Sequence, residues 1–96
     1  MVLLMKTMLP ALAILSVVAA GPALASPKCT TAPQDKWLSE TVMKEKIAKM
    51  GYKKIRVFQK TGSCYEIYGF TADNKRAEVY FNPVNGAVVE KNIDEF

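Results

Sequence analysis

At Gly51 the spacing of apolar residues changes from three-and-four to two, and that switch limits the chain to one helix followed by strands. Before it, Val42, Met43, Ile47 and Met50 form an apolar stripe at helical spacing. Lys44, Glu45 and Lys49 fall elsewhere around the helix, and Lys46 borders the stripe. Ser39 is placed to cap this helix, with Leu38 and Met43 as a hydrophobic staple across the cap. Glu40 complements the positive end of the dipole, and Gly51 supplies the left-handed residue that ends the turn. The spacing predicts a helix over 39–50.

Beyond Gly51 four runs alternate. In 52–60, Ile55 and Val57 share one face, with Lys54, Arg56 and Phe58 on the other. In 63–71 the inward face is decided by Glu66, because an unpaired buried carboxylate is too costly, so Tyr65, Ile67 and Gly69 are expected inside. In 76–81, Ala77, Val79 and Phe81 point inward, while Arg76, Glu78 and Tyr80 point outward. A short strand over 87–90 completes the set, and 91–96, including Asp94 and Glu95, reads as a solvated tail. Thr61-Gly62, Ala72 to Lys75 and Asn82 to Gly86 are the turns, the last ending in Asn-Gly. The expected fold class is α+β: one helix packed on a small antiparallel four-stranded sheet, in the order α-β-β-β-β.

The first 25 residues are of another kind. Lys6 is their one charge, and a largely apolar stretch from Met8 to Ala20 follows. That stretch is shorter than the roughly 17 residues needed to span a bilayer, and it ends in Gly21-Pro22. Ala23-Leu24-Ala25 is a small-x-small cleavage signature, so residues 1–25 are expected to be a signal peptide removed after Ala25. An uncleaved membrane anchor is the alternative. Lys28 and Pro27 ahead of Cys29 do not suit a lipid-attachment site. The organisation expected is a leader over 1–25, an extended lead-in over 26–36 and one domain over 37–96, in a periplasmic or secreted protein with no stable membrane insertion after cleavage.

Of the 13 basic residues of this 96-residue chain only Lys6 lies in the leader, so the net charge falls from +4 to +3 on processing. The lysines are spread along the chain, which gives a nucleic-acid partner no support. There is no histidine, which removes Ser-His-Asp and Cys-His catalysis, histidine metal ligation and haem attachment. Two cysteines cannot close a structural zinc site, and no cofactor is expected. A domain of about 70 residues has a marginal core and benefits from a covalent staple. Export makes a disulfide between Cys29 and Cys64, 35 positions apart, the default state. That spacing does not suit a redox-active pair.

Three segments carry a resemblance: Gly51-Tyr52, then Gly62 to Gly69 (GSCYEIYG), then Glu78 to Val88 (EVYFNPVNGAV). In that order, over about residues 37–90, the chain resembles a PepSY-type domain. The middle turn departs from the usual pattern, with Asn74 where glycine is more typical, and Asn tolerates the left-handed conformation. The resemblance implies an exported module of the kind found in propeptides of thermolysin-like peptidases, without catalytic residues, and a protein partner such as a peptidase.

The candidate partner-binding residues on the expected outer face are Arg56, Phe58, Glu66, Tyr68, Phe70, Arg76 and Tyr80, with Glu78 among them. Ordinary cross-strand pairing would produce the same pattern, and the lead-in tied to Cys64 is expected to cover part of it. Trp37 is expected to close one end of the core rather than stack a ligand, and Met43 and Met50 to serve the core rather than copper. Three functions remain: a binding module that restrains a protease or another envelope protein by its sheet face or an edge strand, a small-ligand or metal-responsive module, and an enzyme. The first is favoured. Tyr65 and Glu66 fall on opposite faces of one strand and cannot cooperate in acid-base chemistry.

Overall fold

The computed structural model describes residues 25–94, so the leader expected over 1–25 lies outside the described residues except for Ala25. A 3-10 turn, Gln34–Lys36, interrupts the otherwise irregular lead-in. The helix α1 (Glu40–Lys49) is followed by β1 (Lys53–Thr61), β2 (Cys64–Phe70), β3 (Arg76–Phe81) and β4 (Val88–Asp94). The strands form one antiparallel sheet in the order β1-β2-β3-β4, an α+β meander as the periodicity predicts.

Local chemistry fixes α1 at both ends. The Ser39 hydroxyl accepts the Val42 N–H at 3.2 Å, Glu40 stands in the first turn, and Lys46 and Lys49 stand in the last. Gly51 comes next at φ 97°, where a side chain would be strained. The stripe is narrower than the spacing suggested: Met43 and Ile47 are buried, whereas Val42 and Met50 are exposed. A single helix lying on one sheet has only its innermost line of side chains covered.

Met43 and Ile47 pack on the inward residues of β2 and β3, namely Tyr65, Ile67, Ala77, Val79 and Phe81. Trp37 closes one end as expected, its ring edge-on to Tyr65 with centroids 5.3 Å apart and its Nε1–H donating to the Ala32 carbonyl at 3.2 Å. Tyr65 donates its hydroxyl to the Leu38 carbonyl at 2.7 Å, which ties the helix entry to the sheet.

Two strands differ from the alternation read in the sequence. Between Lys53, opposite Phe70, and Val57, opposite Tyr68, three residues of β1 face the single residue Gly69. Lys54 takes φ 52° in this bulge, whose two extra residues leave Lys53 and Val57 both opposite outward residues of β2. Phe58 therefore lies opposite Ile67 on the helix side, its ring centroid 5.0 Å from that of Tyr65, and Val57 lies on the outer face. Gly69 is what permits this, since a Cβ there would sit 2.7 Å from Ile55 Cδ1 and 3.1 Å from the Lys53 carbonyl. The second difference is β4, which runs on to Asp94: Ile93 pairs with Ala77 and packs on the core, and Asp94 pairs with Arg76. The expected tail is a strand because Ile93 has a core face to cover.

Candidate functional site

The candidate site is the sheet face turned away from α1. Alternation along β2 puts Cys64, Glu66, Tyr68 and Phe70 there, and β3 adds Arg76, Glu78 and Tyr80. The lead-in divides this face into a covered end and an open end.

At the covered end the Cys29–Cys64 disulfide brings the two Cα atoms to 5.1 Å, and the Cys29 N–H donates to Ser63 Oγ at 2.8 Å. Tyr80 is buried with the two cysteines as a second, smaller core. Glu66 is also buried, at 2 % exposure, although its charge argued for solvent. Its Oε1 accepts hydrogen bonds from Gln59 Nε2 at 2.9 Å and Thr61 Oγ1 at 2.7 Å, so the carboxylate is buried but partnered. Burial pushes the Glu66 carboxyl up, yet hydrogen bonding with Glu78, Gln59, Thr61 and Tyr80 outweighs it and holds the group below the ordinary glutamate value.

At the open end Glu78 is the hub. One carboxylate oxygen accepts the hydroxyls of Tyr68 at 3.0 Å and Tyr80 at 2.9 Å, and the other accepts Asn92 Nδ2 at 3.1 Å. The hydrogen bond to Glu78, followed by burial, pushes the Tyr68 phenol up to about 12. Burial followed by the bond to Glu78 raises that of Tyr80. Around this hub lies a groove of about 1090 Å³, with Tyr68, Gly69, Phe70 and Ala77 along its middle. Arg56 stands on the β1 side and Glu90 and Asp94 on the β4 side. The Arg56 guanidinium and the Lys54 ammonium are each 5.8 Å from the centre of the Phe70 ring. An apolar floor with hydrogen-bonding groups and charges of both signs at its margins has the composition of a recognition surface.

Of the residues singled out in the sequence, Arg56, Tyr68, Phe70, Arg76 and Glu78 come together in this groove. Glu66 and Tyr80 are on the same face but beneath the lead-in, and Phe58 is on the other side of the sheet, under Lys44. Periodicity missed Gln59 and Thr61 as partners of Glu66, although both stand across the hairpin from it or its neighbour Cys64. It also missed Glu90, the last residue of the expected fourth strand, and Asn92 and Asp94, which lie beyond that strand's expected end.

Among the described residues no group of three or more acidic or cysteine side chains is placed to hold a metal ion, and both cysteines are in the disulfide. No described helix is long and apolar enough to cross a membrane. No curated protein and no solved structure matches the chain. The family model for the peptidase propeptide and YPEB domain matches residues 9–92, which take in α1 and all four strands but for the last residues of β4. The chain belongs to the PepSY family of peptidase propeptide and YPEB domains.

Proposed function

We propose that this protein is an exported, non-catalytic binding module that restrains a peptidase by docking the open end of its sheet face on the enzyme. PepSY domains occur in exported proteins and are associated with binding peptidases, and the leader read in the sequence fits that setting. The observation that carries the reading is Tyr68, 44 % exposed in the middle of the groove between the Arg56 and Glu90 margins. A rigid ring at the centre of a polar surround is the usual anchor of a protein interface.

The test is inhibition of a secreted thermolysin-like metallopeptidase by the oxidised domain, followed on a short chromogenic substrate. Inhibition should saturate with the unaltered domain and weaken about tenfold or more with Tyr68→Ser, a loss in the range of an interface anchor. Tyr68 is exposed, so thermal stability should change by less than about 1 kcal/mol. Equal inhibition by both proteins would remove the groove from the account, and no inhibition by either would remove the peptidase.

A further inference from the structure

Spread along the sequence, basic residues are gathered by the fold at one corner of the sheet. Lys53, Phe70, Arg76 and Asp94 form the last row across the outer face, one from each strand. The Lys54 ammonium and the Arg56 guanidinium each stand 5.8 Å from the centre of the Phe70 ring, between the flanking Lys53 and Arg76. The carboxylates at this corner are Asp73, 3.9 Å from the Lys75 ammonium, and Asp94, opposite Arg76. Among the described residues they leave Lys53, Lys54 and Arg56 in excess, and β1 itself contains no acidic residue.

Apolar side chains are exposed beside these charges. Ile55 and Val57, at 37 % and 38 % exposure, alternate with Lys54 and Arg56 along the same edge strand. The end of α1 reaches this corner too, since a Cβ on Gly51 would sit 3.7 Å from that of Ala72, and Met50 there is exposed. A strand added to this edge is discouraged by its lysines and by the bulge at Lys54. A single small anion would leave the apolar side chains without a partner. A bilayer surface rich in anionic lipid meets both features, because its headgroups take the cations and its interfacial layer takes the apolar side chains.

We propose that this corner binds the surface of anionic phospholipid membranes, with Lys53, Lys54, Arg56 and Arg76 against headgroup phosphates and Ile55 and Val57 at the interface. The contact is peripheral and sensitive to salt, with no segment crossing the bilayer. β4, the opposite edge of the sheet, carries Glu90 and Asp94 and is turned towards solvent. Arg56, Phe70 and Arg76 also line the groove, whereas Lys53 and Lys54 do not, so substitutions at these two report on the membrane contact alone. The contact does not depend on the peptidase reading, because it is read from vesicle binding and not from inhibition.

The test is co-sedimentation of the oxidised chain processed to residues 26–96, a span that contains every described element of the fold. The vesicles are of equal parts phosphatidylglycerol and phosphatidylcholine, or of phosphatidylcholine alone. Binding is expected to the anionic vesicles only, and to fall as salt screens the contact. Lys53→Gln and Lys54→Asn should each weaken it about fivefold, and together about 25-fold, the share of a basic residue at an anionic surface. Asn suits the left-handed backbone at position 54 and both positions are exposed, so the melting transition should stay where it is. Lys91→Gln, the same loss of charge on the opposite edge, should leave binding unchanged. Binding to both kinds of vesicle alike, or to neither, overturns the proposal. So does an equal effect of Lys91→Gln, which would make the attraction one of net charge alone. Release by inorganic phosphate far beyond that by chloride at the same ionic strength would show a discrete phosphate site in place of a surface. Capture by soluble polyglutamate but not by vesicles would assign the corner to an acidic protein, and either result overturns the proposal as well.

Discussion

Glu66 stands on the face its charge predicts and is nonetheless buried. The cost of an unpaired buried carboxylate put it on the outer face, and it is there, yet buried. What the alternation could not reveal is the lead-in crossing above it, although Cys64 on the same face pointed that way. Gln59 and Thr61 supply the hydrogen bonds that make its burial tolerable. Folding holds its carboxyl below the ordinary 4.5, so the fold favours the ionised form. The resulting stabilisation is complete above pH 4.5 and is lost as the pH falls through the lower folded value. Glu66→Gln should therefore flatten the acid side of the stability curve measured by urea unfolding. It should also cost about 1–3 kcal/mol at neutral pH, since the new amide N–H groups must find acceptors in a site built from donors. An unchanged acid limb would mean that Glu66 contributes nothing to the pH dependence.

Among the elements, α1 was the most legible because its signals are local: a serine cap, a two-residue buried stripe and a terminal glycine. β2 and β3 were legible because their alternation is unbroken. β1 is bulged between Lys53 and Val57, and beyond the bulge Val57 pairs with outward Tyr68 and Phe58 with inward Ile67, the reverse of the faces expected for them. The one sequence signal for the bulge was Gly69, a glycine in the interior of the partner strand. Gly69→Ala is expected to destabilise the domain by about 1–3 kcal/mol, because the new methyl would meet Ile55 and the Lys53 carbonyl at 2.7 and 3.1 Å. The shift in urea midpoint reads this directly, and a neutral substitution would show that the bulge accommodates a Cβ. β4 was cut short because Asn92 and Asp94 are poor strand formers, whereas Ile93 already had the inward phase of a continuing strand.

At the scale of the molecule, the disulfide decides which half of the sheet face is available. It closes a loop of about 36 residues, worth roughly 4 kcal/mol in the chain-entropy description, and it pins the lead-in over Tyr80 and Glu66. Replacing both cysteines, Cys29→Ser with Cys64→Ser, should cost about 2–5 kcal/mol in a domain of this size, read as a lowered melting temperature. An unaltered melting temperature would show that the lead-in is held without the bond. The open half left by this arrangement carries Arg56, Tyr68, Phe70, Arg76 and Glu78, five of the residues picked out from alternation alone. Of the β4 margin that completes the groove, Glu90 lies within the strand expected over 87–90, whereas Asn92 and Asp94 join it only with the strand's full length. Hydrogen exchange of the oxidised domain, free and bound to a thermolysin-like peptidase, tests the central claim most directly. Protection gained on binding should concentrate in the β2–β3 segments around Tyr68 and Arg76 and along β4 at Glu90. Protection gained instead over α1, with the outer face exchanging as in the free domain, would contradict docking through this face.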